Sequence, residues 1–198
     1  MTASQDITAL LGSRICHDLI SPLGAISNGV ELLEMTGLEM GPELELISQS
    51  VSNANARIRF FRVAFGATSL DQRIGANEIR SILADQTKTG RLCIDWQVTT
   101  DMERAQVKMA FLLLLCLETS MPWGGQITIT HDGSFWSLAG TSDRMKEAPE
   151  LWDILSRPPG ETDIGAADVH FLVLAHLLDE AGRNLTLDRS ETGLIARF

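Results

Sequence analysis

The sequence predicts an α+β chain in which an N-terminal antiparallel helical hairpin is followed by a layered α/β sandwich. Three observations indicate this class: a helical apolar period fills the first part of the chain, a glycine-containing segment at 66–78 interrupts it, and helices then alternate with short strands. We therefore predict two domains, residues 1–70 and 71–198.

The composition is that of a globular protein, with 44% hydrophobic and 21% charged residues. A net charge of −10 argues against nucleic acid as a partner, because phosphate backbones attract basic surfaces. We see no signal peptide, and the longest apolar run, residues 109–117, is shorter than the roughly 20 residues that a bilayer helix needs. Three scattered cysteines form no metal-ligand spacing. We expect a cytoplasmic protein without membrane contact.

The first helix carries a histidine on its polar side. At about 100° per residue around the helix axis, five residues fall within about 60° of His17, and all but one of them are small or polar. They are Leu10, Arg14, Ser21, Gly24 and Asn28. The opposite side is a mainly apolar row: Thr8, Ile15, Leu19, Ile26, Val30 and Leu33. Because His17 lies away from that row, we expect it to be exposed and not a core residue.

The second helix carries the seam of a helical bundle. Gly37 is predicted to end the first helix and Pro42 to begin the second. Apolar residues then follow at alternating spacings of three and four: Leu44, Ile47, Val51, Ala54, Ile58, Phe61 and Phe65. Two helices alone cannot surround such a seam. Either a second copy completes a dimeric four-helix bundle, or the second half of the chain covers it.

Pro22 lies inside the first helix, one turn after Asp18. It has no N–H for the Asp18 carbonyl and its ring crowds that carbonyl, so we predict a bend at the turn that holds His17 and Asp18. The bend either opens access to a reactive side chain or is a tolerated kink.

After the domain boundary, glycines and the turn predicted at 131–133 mark where helices and strands end. The predicted order is helix 77–89, strand 91–98, helix 104–120, strands 126–132 and 135–140, helices 149–156 and 165–182, and strands 184–189 and 193–198. We predict a mostly antiparallel sheet with helices on one face.

The segment CHDLISPLGAISNGVELLE, residues 16–34, resembles the phosphoacceptor helix of sensor histidine kinases. That helix has a histidine, an acid, a leucine, two variable residues, a proline, a leucine, and an apolar residue three positions further on. The matching residues are His17, Asp18, Leu19, Pro22, Leu23 and Ile26. Residues 164–198 look like the end of the kinase ATP-binding domain. The resemblance implies a dimeric four-helix bundle followed by a Bergerat-like sandwich.

The ATP site departs from the kinase pattern. Kinases carry asparagines on the helix before the Gly-Gly turn, and an ungapped count back from that turn places Leu112 and Cys116 there. Neither side chain offers the oxygen that Mg²⁺ requires. The kinase motif Asp-x-Gly-x-Gly has no counterpart in 136–145, and the glycine-rich lid is reduced in 160–168. The resemblance therefore implies a degenerate domain, and we expect this chain to bind no cofactor.

An intact phosphoacceptor motif beside a degenerate ATP-binding domain is similar to the ChpT-type histidine phosphotransferases. The segment RFFRVAFGA, residues 59–67, also resembles that family. Its members relay a phosphoryl group between receiver domains in a bacterial cell-cycle phosphorelay, from the hybrid kinase CckA to CtrA and CpdR. The resemblance implies a homodimer, CckA-, CtrA- and CpdR-like receiver partners, and Mg²⁺ supplied by the receiver.

The resemblance implies that His17 is the phosphoacceptor, and the positions of Asp18 and Arg14 beside it suggest a role for each as a hypothesis. His17 is the nucleophile, since a free imidazole has a pKa of about 6.5 and is largely neutral near pH 7. Asp18 orients the imidazole or accepts its other proton, although it is equally explained as a solvated charge. Arg14 lies one turn earlier and neutralises phosphoryl oxygens, unless it is only a surface cation.

The rest of this face is predicted to contact the partner. Ser21 and Gly24 keep the surface flat for docking, and Asn28 touches the partner or is a plain polar residue. Six other residues are interpreted as structural: His131, His170, His176, Trp123, Trp136 and Trp152.

Two other functions fit the same sequence less well. An ATP-dependent histidine kinase with eroded motifs would need the ligands that Leu112 and Cys116 replace. A non-catalytic dimeric scaffold would bind receivers without taking phosphate, which the intact pair of His17 and Asp18 disfavours.

Overall fold

The structure, a computed structural model, describes residues 7–36, 41–69, 71–156 and 164–198. The chain divides into two compact units, Met1–Ser69 and Leu70–Phe198, and each is described by itself.

The first unit is a pair of helices, α1 (Ile7–Met35) and α2 (Pro42–Ala64). The start of α1 lies against the end of α2, so the two run antiparallel as predicted. Pro42 begins α2 as expected, whereas Gly37 lies outside the described residues and α1 ends two residues before it. The helix α1 continues through Pro22, so the proline does not end it, and the bend stays a prediction.

The two helices approach each other closely where α1 begins and α2 ends. A methyl group added at Gly12 would lie 3.0 Å from the carbonyl oxygen of Phe65. One residue further on, the Ser13 hydroxyl accepts a hydrogen bond from the Ala67 backbone N–H at 2.8 Å. Small side chains at 12 and 13 therefore let the two backbones approach each other here.

The second unit is built on a five-stranded sheet of order β2-β4-β5-β7-β6. The strands are β2 (Leu92–Trp96), β4 (Gly125–His131), β5 (Trp136–Thr141), β6 (Thr186–Arg189) and β7 (Gly193–Arg197). The β2–β4 pair is parallel and the other pairs are antiparallel, which agrees with the predicted sheet. Two short strands, β1 (Arg73–Ile74) and β3 (Met102–Glu103), pair with each other and were not predicted, because two residues carry no alternating pattern.

In the part of this unit that the structure describes, four α-helices accompany the sheet: α3 (Ala76–Thr89), α4 (Arg104–Ser120), α5 (Pro149–Ile154) and α6 (Val169–Glu180). Their predicted bounds hold within two residues except at α6. That helix begins at Val169 because residues 166–168 form a 3₁₀ turn, in which the Asp168 N–H bonds to the Gly165 carbonyl.

The core of the second unit lies between α4 and one face of the sheet. Most of α4 is buried, and Ile127, Ile129 and Leu138 are fully buried on the facing strands. A methyl group at Gly140 would lie 2.8 Å from the Met121 sulfur, so β5 packs closely on the end of α4. No described helix is both long and apolar enough to cross a membrane.

The Gly-Gly turn before β4 has a packing role. Gly124 and Gly125 adopt φ values of +101° and +147°, which favour glycine. A methyl group at Gly124 would lie 2.6 Å from the Arg91 carbonyl oxygen, and one at Gly125 would collide with the Thr141 carbonyl. These glycines are therefore needed to bring three strand ends together, whether or not a ligand is bound.

Candidate functional site

Three rows of side chains run along α1. The row that faces α2 contains Ala9, Cys16 and Val30, all buried and spaced by multiples of seven. On one flank lie four exposed apolar side chains, which we call the apolar stripe: Ile15, Leu19, Ile26 and Leu33. His17 lies on the opposite flank. The helix α2 thus packs on the edge of the predicted apolar row, against Val30, and leaves most of that row exposed.

His17 is open to solvent beside two charged neighbours. Its side chain is 81% exposed, and its Nδ1 lies 3.3 Å from Oδ1 of Asp18. The other carboxylate oxygen of Asp18 accepts a hydrogen bond from Nε of Arg14 at 2.8 Å. An ionised carboxylate accepts a hydrogen bond only from a protonated Nδ1, so in the neutral tautomer that makes this contact the lone pair is on Nε2. Nε2 has no hydrogen-bond partner among the described residues.

The charge on Asp18 is supported by these neighbours. Hydrogen bonding to His17, followed by the hydrogen bond and charge of Arg14, lowers the pKa of the Asp18 carboxyl below its ordinary value. The carboxylate therefore stays ionised across the neutral range and presents a fixed negative charge to the imidazole.

The predicted docking residues share the flank of His17. Ser21 and Asn28 are exposed and Gly24 is partly exposed. A methyl group at Gly24 would meet no atom within 4 Å, so nothing within the chain requires a glycine there. Their contact with a partner stays a prediction, as do the roles of His17, Asp18 and Arg14.

Residues on the hairpin seam position His17, and the sequence analysis did not single them out. Cys16 is buried directly before His17, and burial raises the pKa of its thiol, a shift that nearby Arg62 partly offsets. Gly12 and Ser13, described above, fix the preceding turn to the end of α2. The signal was a row of small residues at helical spacing, Ala9, Gly12, Ser13 and Cys16, which permits close helix packing.

In the second unit, the two positions predicted to replace magnesium ligands lie in the core. Leu112 and Cys116 are fully buried within α4. Burial raises the pKa of the Cys116 thiol well above its usual value, and the nearby charge of Asp168 adds to the effect. A neutral buried thiol and a leucine offer a cation nothing to bind. Among the described residues, no group of three His, Cys, Asp or Glu side chains is arranged to hold a metal ion.

The short helix α5 fills the space beside α4. Trp152 is buried, donates its indole N–H to the Ser120 hydroxyl at 2.9 Å, and packs edge-on against Phe171 of α6 at 5.5 Å. Trp136 is buried in the core, and Trp123 lies in a turn with 52% of its surface exposed. Trp152 thus links the end of α4 to α6 and lines an open cavity of about 190 Å³.

Comparisons with known proteins cover both units. A family profile described as "Histidine phosphotransferase C-terminal domain" matches residues 76–193. The curated "Protein phosphotransferase ChpT" of Brucella abortus (strain 2308) is 30% identical over 196 residues, which is 96% of this chain and 93% of that protein.

Two solved structures resemble this chain to different degrees. "1.7 Angstrom Structure of a Bacterial Phosphotransferase" matches with a TM-score of 0.71 and 27% identity, over 100% of this chain and 98% of that chain. The mycobacterial sensor histidine kinase MprB matches with a TM-score of only 0.42 and 13% identity, over 64% of this chain and 93% of that chain.

Proposed function

The chain belongs to the ChpT-type histidine phosphotransferase family, and from this premise we propose that it relays phosphoryl groups between receiver-domain aspartates through phosphohistidine at His17. The observation that carries the proposal is the exposed imidazole of His17, whose Nδ1 is engaged by Asp18 while Nε2 faces solvent. The donor and acceptor receivers belong to a hybrid kinase and to response regulators of a two-component phosphorelay.

In the first half-reaction, the Nε2 lone pair attacks the phosphorus of an aspartyl phosphate on the donor receiver. The N–P bond forms as the P–O bond to the aspartate breaks, and that electron pair leaves on the donor carboxylate. The phosphorylated ring keeps its Nδ1 hydrogen and gains positive charge, which the Asp18 carboxylate stabilises at 3.3 Å.

In the second half-reaction, a carboxylate oxygen of another receiver attacks the same phosphorus. The N–P bond breaks and its electron pair returns to Nε2, so that neutral His17 is restored. The terminal N–H groups of Arg14, whose Nε is held by Asp18, neutralise phosphoryl oxygens in both steps. Mg²⁺ is bound by the receiver in this scheme, so positioning and charge are what this chain supplies.

We further propose that the second unit does not bind ATP. Support comes from Leu112 and Cys116, whose side chains are fully buried in the core of the second unit. A nucleotide with Mg²⁺ needs oxygen ligands and open space at these positions. The unit is then a degenerate kinase-type sandwich, and the chain is a carrier and not an ATP-dependent kinase.

The proposal includes a homodimer. The apolar stripe leaves four side chains 43–51% exposed along one flank of α1, and Ile47 on α2 is 45% exposed. A continuous apolar row of this length is typical of a buried helix face. A second hairpin would cover it and complete a four-helix bundle, with His17 of each chain on the outside.

The deciding experiment is a transfer assay with two labelled donors. The purified protein is mixed with labelled ATP alone, or with a receiver carrying labelled aspartyl phosphate. We expect label only from the phospho-receiver, stable to alkali as phosphohistidine, and a second receiver should then remove it.

Two variants complete the test. His17→Ala should abolish labelling and leave the dimer intact in size-exclusion chromatography. His176→Ala is the matched control, because His176 is exposed on α6 and it should label normally. Label taken directly from ATP would identify a kinase. A wild type that binds receivers without becoming labelled would identify a scaffold.

A further inference from the structure

An open cavity lies at the end of the sheet in the second unit, where β2 and β4 begin and β5 ends. We call it the bowl; its volume is about 640 Å³. The side chains that give it chemical character are Arg91, Trp123, Arg144 and Asp143. None of them takes part in the transfer chemistry proposed for the hairpin.

The walls of the bowl are fixed by backbone contacts. The Ser142 hydroxyl donates to the Gly124 carbonyl at 2.7 Å, which ties the turn before β4 to the end of β5. Gly124 and Gly125 allow strand ends to approach more closely than any side chain would permit. A concave surface held this way loses little conformational entropy when a partner binds.

An exposed tryptophan is held in place inside this bowl. Trp123 is 52% exposed, and the guanidinium carbon of Arg144 lies 4.0 Å from the centre of its ring. This cation–π contact orients both side chains. Tryptophan and arginine are the residue types that contribute most often to binding energy at protein interfaces.

The cations of the bowl lack carboxylate partners. The chain has 26 acidic and 16 basic residues, yet no carboxylate of the described residues lies within 4.0 Å of Arg91 or Arg144. Arg91 donates only to the backbone carbonyl of Pro122, at 2.9 Å. Asp143 lines the same bowl but is not paired with either guanidinium. In an acidic chain, two guanidinium groups with no carboxylate partner among the described residues form a local cationic and aromatic surface beside an exposed indole.

We propose that the bowl docks an acidic segment of the phosphorylated receiver, with carboxylates on Arg91 and Arg144 and an apolar side chain on Trp123. This rests on the proposed function, because the receiver is the partner which that function requires. The overall charge of −10 repels an acidic partner, so a cationic site on the second unit would direct its approach.

The test measures transfer from labelled phospho-receiver to the full-length protein as a function of receiver concentration. Arg144→Glu and Trp123→Ala should each raise the receiver concentration for half-maximal rate about 10-fold, with the rate at saturation unchanged. Arg144→Lys keeps the charge and should recover most of the loss. Arg197→Glu is the matched control, since Arg197 is exposed on β7 and does not line the bowl; it should behave as wild type.

The outcomes separate this inference from the proposed function. If the wild type takes no label from any phospho-receiver, the proposed function fails. If the wild type is labelled and Arg144→Glu and Trp123→Ala match Arg197→Glu, only the docking site is refuted. Should either variant fold poorly by circular dichroism, Arg91→Glu and the salt dependence of the wild type decide. Transfer at low receiver concentration should fall as salt is raised, and in Arg91→Glu this dependence should be weaker.

Discussion

In the hairpin, the side chains proposed to take part in phosphoryl transfer are exposed to solvent. In the sandwich, the positions that correspond to kinase magnesium ligands are buried in the core. His17 is 81% exposed on α1, while Leu112 and Cys116 on α4 are fully enclosed. The hairpin has few buried side chains and an exposed apolar flank, and the sandwich has a dense apolar centre. An exposed nucleophile is accessible to a large protein substrate, and the buried Leu112 and Cys116 support our proposal that the sandwich binds no nucleotide. The contrast favours a protein partner as phosphoryl donor.

The largest predicted effect tests whether the apolar stripe of α1, which is exposed in the single chain, is covered by a second copy in solution. Replacing Leu19 and Ile26 by Glu places two charges on the apolar stripe, and burying them against a second copy would be strongly unfavourable. We expect the dimer to dissociate into monomers, with a dissociation constant raised at least 1000-fold by analytical ultracentrifugation (about 4 kcal/mol). Leu32→Glu, exposed but outside the stripe, should stay dimeric. A monomeric wild type would contradict the bundle.

The second prediction tests the closed core. Leu112→Asn restores the type of residue that kinases use, but the buried amide finds no partner and the leucine packing is lost. We expect a loss of about 4 kcal/mol in the free energy of unfolding by urea denaturation, with no ATP binding by calorimetry. Leu32→Asn, at a 63% exposed position, should change stability little. Nucleotide binding by Leu112→Asn would mean that a single residue closes the site.

The third prediction tests the role of the Asp18 charge in phosphoryl transfer at His17. Asp18→Asn keeps an oxygen acceptor for Nδ1 but removes the negative charge, so we expect transfer to slow about 10-fold while the dimer stays intact. The pKa of Asp18 is lowered on folding from an ordinary value of 3.8. The contribution of the ionised Asp18 to folding stability is therefore fully present above pH 3.8, and it is lost only as the pH falls through the lower pKa of the folded state.

The lowered pKa of Asp18 also predicts how the transfer rate depends on pH. The wild-type transfer rate should show no carboxylate inflection between pH 5 and pH 8, because Asp18 remains ionised throughout. An inflection in this range that disappears in Asp18→Asn would contradict our assignment of the charge.

The smallest predicted effect concerns two glycines of α1 that no other atom approaches. Gly24→Ala and Gly29→Ala should each stabilise the protein by about 1 kcal/mol in thermal unfolding, since alanine is the better helix former. Gly24 lies on the His17 flank and Gly29 does not, so only Gly24→Ala should raise the half-maximal receiver concentration, by about 2-fold. Equal transfer by both variants would place the docking surface elsewhere.

Local periodicity was enough to predict the order of the main helices and strands and the grouping of Arg14, His17 and Asp18, because helical spacing alone sets them. It did not reveal which edge of the apolar row α2 would cover, since that depends on how closely Gly12 lets the helices approach. Arg91 and Arg144 are distant in sequence and meet only through the pairing of β2, β4 and β5. No pattern within one segment contains that information.

The contact of Ser13 with Ala67 has a mechanical consequence for the hairpin. It fixes α1 to the end of α2 four residues before His17, about 6 Å along the helix axis, whereas Met35 lies about 27 Å beyond the histidine. The chain joins the two helices again between Met35 and Pro42, so α1 is tied to α2 at both ends. His17 lies much closer to the tie at Ser13 than to the other one. A displacement of α1 along α2 near the histidine would therefore have to break the hydrogen bond between Ser13 and Ala67.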